Sequence, residues 1–233
     1  MTGFPAAIVF DFDGVLVDSE RLHCETMAEV MEGLGPPFDW AFYHENLMGL
    51  DDRGAFARLL DRAGTEPSPE AVRRLVARKA ERFAALAGQG RVPAYPGAAD
   101  FVRACAAAAP VGLCSGALRS DIEPVLASLG IADCFAETVT ADDVERSKPD
   151  PASYRRCVQL LAARFPEAGI APAACVAIED TPDGIASARG AGLAVLGVAS
   201  HLAPDRLLAA GASAAVASLE GLDPEVFSGL RPR

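Results

Sequence analysis

The chain has 233 residues, of which 51% are hydrophobic and 23% are charged, and its formal net charge is −11. The hydrophobic fraction is that of a folded globular protein, and the length suits one large core or a core with an inserted module. The acidic balance argues against nucleic acid and anionic membranes as partners. Six cysteines without a Cys-x-x-Cys pair predict reduced thiols in a cytoplasmic protein. We expect no signal peptide, and no apolar run reaches the ~18 residues of a membrane helix.

The first polar motif of the chain follows a short apolar run, residues 6–10, which predicts a buried strand. Asp11 and Asp13 come directly after this run, and Gly14 allows a sharp turn. Ligands of open α/β sheets bind at the carboxyl ends of strands. Two acids there can hold a hard cation, or one can attack an electrophile while the other moves protons. For this motif alone, a solvated strand end with an ordinary Asp-Gly turn stays an open alternative.

The next part of the chain, residues 19–92, contains no convincing strand. Apolar residues at helical spacing predict helices over residues 21–34, 51–63 and 69–86, and the segment 40–46 is ambiguous. The arginines of the third predicted helix indicate a solvated face.

Helices and strands alternate from residue 96 onward. Helices are predicted over residues 98–108, 121–129, 152–164 and 184–191, and strands over residues 111–114, 137–140, 175–178 and 194–198. This alternation predicts an α/β fold with a doubly wound parallel sheet, to which the first strand also belongs. The sequence therefore predicts an α/β core domain of residues 1–18 and 93–233, with a helical domain of residues 19–92 inserted after the first strand. Hinges are expected near residues 15–19 and 91–96.

Two further motifs carry polar groups suited to phosphate. Ser115 and Gly116 follow the predicted strand 111–114, and the Ser115 hydroxyl and the Gly116 amide can donate to a phosphoryl oxygen. An ordinary helix cap at Ser115 is the alternative. Lys148 lies in a turn constrained by two prolines, where its point charge can neutralise a phosphate, although most surface lysines have no specific role.

A second acid pair, Glu179 and Asp180, follows the predicted strand 175–178. Either Asp180 or Thr181 can be the N-cap of the next helix, but a cap does not explain two adjacent acids at a strand end. Because parallel strands bring their carboxyl ends to one edge of a sheet, we expect the four motifs to meet there.

An acid pair, a hydroxyl, a lysine and a second acid pair in this order resemble the motifs of the haloacid dehalogenase superfamily. The closer resemblance is to the branch that holds phosphoglycolate phosphatases, sugar phosphatases and β-phosphoglucomutase. It covers nearly the whole chain and implies a Rossmann-like core with an inserted α-helical cap domain. The motifs are specific for the superfamily and much less so for the substrate.

The resemblance also implies roles for the acids. Asp11 would be the nucleophile that forms an aspartyl-phosphate, and Asp13 would be the general acid and then the general base. The implied cofactor is Mg²⁺, held by Asp11, by the backbone carbonyl of Asp13 and by Asp180, with Glu179 close by.

The remaining core motifs would act on the phosphoryl group. Ser115, Gly116 and Lys148 would hold its oxygens, where charge stabilisation is the largest expected contribution. Asp13 also separates branches of the superfamily, since the dehalogenases and phosphonatases lack an acid at that place. Its presence favours phosphoryl transfer to or from an oxygen.

The helical segment holds the candidate substrate residues His23, Gly49 and Arg53. In the mutase-like members, a lysine before the cap-loop glycine and an arginine three residues after it grip the distal phosphate. Here those places hold Met48 and Asp52, and Arg53 is one residue away. His23 occupies a cap-helix position where the family often has histidine, and a half-buried structural histidine is an equal alternative.

These features together predict a Mg²⁺-dependent phosphoric monoester hydrolase that acts on a small phosphorylated metabolite, with a sugar phosphate as the leading candidate. One alternative is a phosphosugar mutase, against which Met48 and Asp52 count. Another is a binding module that kept the fold and lost the chemistry, against which the intact acid pairs count.

Overall fold

The computed structural model describes residues 3–48 and 50–232. The strands of the described chain are β1 (Ala7–Phe10), β2 (Val111–Cys114), β3 (Glu137–Val139), β4 (Cys175–Glu179), β5 (Ala194–Val198) and β6 (Ala214–Val216). Its α-helices are α1 (Glu20–Met31), α2 (Trp40–Asn46), α3 (Asp52–Arg62), α4 (Pro69–Ala87), α5 (Ala98–Ala108), α6 (Arg119–Ser128), α7 (Ala152–Arg164), α8 (Pro182–Gly190) and α9 (Pro204–Ala210).

The six strands form one parallel sheet in the order β3-β2-β1-β4-β5-β6. Every residue of β1, β2, β4 and β5 is buried. A parallel sheet is covered on both faces, which explains why these strands are continuous apolar runs without alternation. The strand order reverses direction between β1 and β4, and such a switch point creates a crevice at the carboxyl ends of the strands.

The chain divides into two compact units. One contains the residues up to Asp18 and those from Pro93 onward, and the other contains Ser19–Val92. The first unit holds the sheet and its apolar core. The second unit has a core of its own, formed where α1 to α4 bury residues such as Met27, Phe56 and Leu59.

The prediction of an α/β fold with a doubly wound parallel sheet is confirmed. The ambiguous segment is the helix α2, which Asp39 caps by accepting a hydrogen bond of 3.0 Å from the Phe42 N–H. The predicted helix 21–34 ends earlier, at Met31, and Gly33 then takes a left-handed conformation that stops a helix. Among the described residues, no helix is both long and apolar enough to cross a membrane.

Candidate active site

Three of the four polar motifs stand at one edge of the sheet because of the strand register. Phe10 of β1 pairs with Leu113 of β2 on one side and with Ile178 of β4 on the other. The next residue, Asp11, continues this ladder and donates its N–H to the Ile178 carbonyl at 3.0 Å. Ser115 therefore lies one strand away from Asp11 on one side, and Glu179 lies one strand away on the other. The convergence expected from the sequence is what the register produces.

Three carboxylates form a buried cluster at this edge. Asp11, Glu179 and Asp180 each offer an oxygen, and these oxygens lie within 4.8 Å of one another. The open question of the helix cap is answered by Thr181, whose hydroxyl accepts from the Gly184 N–H at 3.1 Å. Asp180 is thus not used as the N-cap of α8, and its carboxylate belongs to the cluster.

Gly14 is required where the first motif packs against the second acid pair. Its φ of +76° lies in the left-handed region, and a Cβ atom there would overlap the Asp180 carboxylate. The Gly14 carbonyl also accepts a hydrogen bond from the Ser200 hydroxyl, in the loop that follows β5. The turn that contains Gly14 therefore contacts the residues that follow β4 and β5.

Lys148 enters the carboxylate cluster from the loop that precedes α7. Its Nζ lies 2.7 Å from Asp11 Oδ1, 2.6 Å from Glu179 Oε1 and 3.1 Å from the Cys114 carbonyl oxygen. The Lys148 side chain is only 12% exposed. Burial alone would lower the pKa of this amine, but Asp11 and Glu179 outweigh that effect and raise it above its ordinary value. Lys148 is therefore a fixed positive charge beside Asp11.

The charges of the cluster are unbalanced even with Lys148 present. Burial, and then the charge of Glu179, raise the pKa of Asp11 from 3.8 to about 8, although Lys148 opposes the shift. Burial, and then Asp11 and Glu179, raise the pKa of Asp180 to about 9. Raised pKa values mean that several carboxylates share too little positive charge. A further cation at this place would relieve the repulsion.

The donor set fits a hard divalent cation. Oδ1 of Asp180 is buried and makes no hydrogen bond to any described residue, which is costly unless another group supplies the missing interaction. Carboxylate and backbone carbonyl oxygens are the ligands that Mg²⁺ takes in proteins. Asp11, Glu179 and Asp180 are thus a group of carboxylates that could hold such a cation.

The loop that carries Lys148 is tied down at both ends. At its start, Thr140 and Asp143 form a capping box, and Arg119 binds the Asp143 carboxylate at 2.8 Å. At its end, Asp150 accepts from the Ala152 N–H at 3.0 Å, which anchors the beginning of α7. The peptide bond between Lys148 and Pro149 is cis. Hydrogen bonds and an ion pair thus hold the loop on both sides of Lys148.

The other core candidates have different surroundings. Ser115 is only 2% exposed, and its hydroxyl accepts from the Ala117 N–H at 3.0 Å. The Ala117 N–H is therefore already bonded within the turn. Gly116 is exposed, and α6 begins three residues later, at Arg119. Asp13 is half-buried, and its charge contributes to the raised pKa of Asp11.

The candidate substrate residues of the helical unit differ in their exposure and contacts. The His23 ring is half-buried and stacks on Phe83, with ring centroids 4.4 Å apart. Arg53 is exposed, and Gly49 lies outside the described residues. Asp52 forms an ion pair of 2.9 Å with Lys79, whose side chain is fully buried.

Sequence reasoning missed three polar residues with close contacts: Tyr154, Lys79 and Ser200. Tyr154 is fully buried and donates its hydroxyl to Glu179 at 2.7 Å, but in the sequence it is one more apolar position of α7. Lys79 had a usable signal, because it stands four residues from both Leu75 and Phe83 in the apolar stripe of α4. Ser200 follows a strand end and had no comparable signal.

Comparison with known proteins places the chain in a family. The family model of the haloacid dehalogenase-like hydrolases matches residues 5–192. Protein CbbY of Rhodobacter capsulatus is 30% identical over 196 residues, which are 82% of this chain and 83% of that protein. The chain belongs to the haloacid dehalogenase-like hydrolase family.

Two further similarities bear on chemistry. The "Phosphorylated carbohydrates phosphatase" of Thermotoga maritima is 29% identical, over 90% of this chain and 93% of that protein. A structure of a CbbY variant from Rhodobacter sphaeroides in complex with xylulose-(1,5)bisphosphate is similar with a TM-score of 0.81 and 26% identity, over 94% of this chain and 96% of that one. The predicted family resemblance and the predicted enzyme class, a phosphoric monoester hydrolase of this family, are confirmed.

Proposed function

We propose that this enzyme is a Mg²⁺-dependent phosphatase that hydrolyses a small phosphorylated sugar through an aspartyl-phosphate on Asp11. One observation carries the proposal: Asp11, Glu179 and Asp180 form a buried cluster into which the single amine of Lys148 is inserted. The similar proteins named for phosphorylated carbohydrates and crystallised with a sugar bisphosphate support a sugar phosphate as the substrate class.

In the first half of the proposed reaction, a carboxylate oxygen of Asp11 forms a bond to phosphorus while the bond from phosphorus to the sugar oxygen breaks. Asp13 gives its proton to that leaving oxygen. Lys148 neutralises charge on the phosphoryl oxygens and keeps Asp11 aligned for attack. Ser115 and Gly116 supply neutral donors to the same oxygens.

In the second half, Asp13 takes a proton from a water molecule that attacks phosphorus, and the bond between phosphorus and Asp11 breaks. Inorganic phosphate leaves, and both acids return to their starting states. Mg²⁺ held by Asp11, Asp180 and the Asp13 carbonyl would supply the positive charge that the cluster lacks.

The helical unit is proposed to select the substrate, with His23, Gly49 and Arg53 as candidate contacts. The six cysteines, all free and five of them buried, support the proposed location in the reducing cytoplasm. A small-molecule substrate is the proposed partner.

The proposal is tested by measuring phosphate release from a panel of sugar phosphates, phosphoglycolate and nucleotides, each with Mg²⁺ and with excess chelator. We expect turnover of at least one sugar phosphate, loss of turnover in chelator and recovery when Mg²⁺ is restored. Full turnover in chelator would remove the metal from the mechanism. Preference for nucleotides over every sugar phosphate would reject the substrate class.

A phosphosugar mutase is the second candidate because Arg53 is an exposed cation beside the cap-loop position. Against it, Met48 is uncharged, and Asp52 and Lys79 neutralise each other. A mutase must hold a bisphosphate intermediate, which calls for fixed positive charge. A hexose 1-phosphate, if accepted, should therefore yield free sugar and phosphate. Formation of the 6-phosphate isomer, stimulated by a trace of the bisphosphate, would establish the mutase instead.

A further inference from the structure

Tyr154 is a fully buried phenol that touches the charged cluster. It is the third residue of α7 and lies among the apolar side chains on one side of the sheet, including Val139 and Ile185. Its hydroxyl donates to Glu179 Oε1 at 2.7 Å, and the Lys148 Nζ lies 5.2 Å from the centre of its ring. The partner of this buried hydroxyl is therefore a charged member of the cluster.

Glu179 is the link between this phenol and Lys148. The Glu179 side chain is fully withdrawn from solvent, and its Oε1 accepts from both Tyr154 and Lys148. The other oxygen, Oε2, accepts from Thr181 at 3.4 Å. The two hydroxyls thus bind different oxygens of the carboxylate, and together they restrain the oxygen that Lys148 contacts.

Lys148 in turn has three acceptors for its three N–H groups: Asp11, Glu179 and the Cys114 carbonyl. A lysine side chain has several rotatable bonds, so its position depends on these acceptors. If Glu179 Oε1 turned away, Lys148 would lose one of them and could move relative to Asp11.

We propose that Tyr154 is a positioning residue, which through Glu179 fixes Lys148 beside Asp11. This inference rests on the proposed function, since it assigns Lys148 a role in phosphoryl transfer. The phenol contacts neither substrate nor phosphorus. Its effect is on the precision with which the amine meets charge that develops in the transition state.

The test compares Tyr154→Phe with Ser153→Ala. Each variant removes one buried hydroxyl from adjacent residues of α7, but the Ser153 hydroxyl makes no hydrogen bond to any described residue. A hydrogen bond to a charged group is stronger than one between neutral groups, so its loss should disturb Glu179 and with it Lys148. We therefore expect Tyr154→Phe to lower kcat about tenfold. Since the loss falls mainly on the transition state, KM should change less than about twofold. Ser153→Ala should leave both constants near wild type.

A double-mutant cycle shows whether Tyr154 acts through Lys148. In the Lys148→Ala background, Tyr154→Phe should lower kcat less than about twofold, because the group that it positions is gone. As a readout independent of turnover, calorimetry with orthovanadate, which can take the five-coordinate geometry of a phosphoryl-transfer transition state, should show weaker binding to Tyr154→Phe and unchanged binding to Ser153→Ala.

Three results would overturn the inference: a wild-type kcat in Tyr154→Phe, an equal loss in Ser153→Ala, or a full tenfold loss in the Lys148 background. A lower melting temperature of Tyr154→Phe at unchanged kcat would make the phenol purely structural. These outcomes are distinct from failure of the proposed function, which would appear as absence of phosphatase activity in the wild type.

Discussion

The two units of the chain differ in the charges that they bury. In the unit that holds the sheet, Asp11, Lys148 and Glu179 are almost fully withdrawn from solvent and contact one another. In the helical unit, pairs such as Arg82–Glu29 lie at the surface, with both side chains close to half exposed. Exposed pairs contribute roughly 0–1 kcal/mol, whereas buried charges are costly to maintain. The sheet unit thus keeps this costly buried charge at the edge that forms the candidate active site.

Among the described residues of the helical unit, Lys79 and Asp52 form an ion pair that is an exception to this pattern. Lys79 is fully buried, and its ammonium also lies 4.8 Å from the centre of the Phe83 ring. We expect this pair to behave differently from the core charges: its loss should cost stability, whereas loss of the core charges should cost turnover.

The largest expected effect is that of Asp11→Asn. An amide cannot attack phosphorus, so kcat should fall by more than about 10⁴-fold while the fold is kept. The measurement is phosphate release from an aryl phosphate, with circular dichroism as a check on folding. Asp183→Asn, which changes an exposed acid at the start of α8, is the matched control and should stay near wild type. Near-normal turnover of Asp11→Asn would remove the nucleophile from the account.

The second effect is that of Lys148→Ala. Removing a charge aimed at the phosphoryl group should lower kcat by about 10²–10³-fold. The control is Arg146→Ala, a cation in the same loop whose side chain is 79% exposed. The account fails here if Lys148→Ala unfolds the protein at unchanged specific activity, because the lysine would then be structural.

The third prediction concerns the exception in the helical unit. Asp52→Asn removes the carboxylate that pairs with the buried Lys79 ammonium, and the free energy of unfolding should fall by about 3 kcal/mol. Denaturant unfolding measures this loss, with Asp61→Asn, an exposed acid of the same helix, as the control. Joint replacement by Asp52→Leu and Lys79→Met should recover most of the stability. A neutral Asp52→Asn would show that the pair contributes nothing.

The fourth prediction is a pH dependence of stability without metal. The pKa of Asp11 is raised to about 8 and that of Asp180 to about 9, so the folded protein holds protons that the unfolded chain releases near its ordinary value of 3.8. The folded state binds more protons, and the free energy of unfolding should therefore fall as the pH rises from about 4 to about 9.

Melting temperatures in chelator and in Mg²⁺ check this dependence. Metal binding favours ionised ligands, so stabilisation by Mg²⁺ should grow toward alkaline pH. The fall in chelator should be smaller in Asp180→Asn, which lacks one of the two groups, and unchanged in the exposed-site variant Asp183→Asn. An equal fall in both variants would place the pH dependence elsewhere in the protein.

Sequence reasoning was most successful in the sheet unit, and the physical reason is the register. Once residues 6–10, 111–114 and 175–178 are recognised as apolar strands, a parallel sheet brings the residues that follow them to one edge. Asp11, Ser115 and the Glu179–Asp180 pair could thus be predicted to converge without any knowledge of side-chain packing.

The same reasoning could not supply contacts that depend on packing. Tyr154 has the helical spacing of a core residue, and the hydrogen bond from its hydroxyl to Glu179 is known only from the structure. In the helical unit, the sequence places Asp52 where the mutase-like members hold arginine, but it does not show that Asp52 pairs with Lys79 from another helix. The two lie 27 residues apart in the chain, and no local pattern joins them.

The central claim is that Asp11 carries the phosphoryl group during turnover. The direct measurement is a rapid acid quench during the first turnover with a sugar phosphate or aryl phosphate, followed by peptide mass spectrometry. The account predicts that the peptide containing Asp11 gains the mass of one phosphoryl group, and that the adduct is absent in Asp11→Asn. A complete first turnover with no adduct at any time, or with the adduct on another residue, would contradict it.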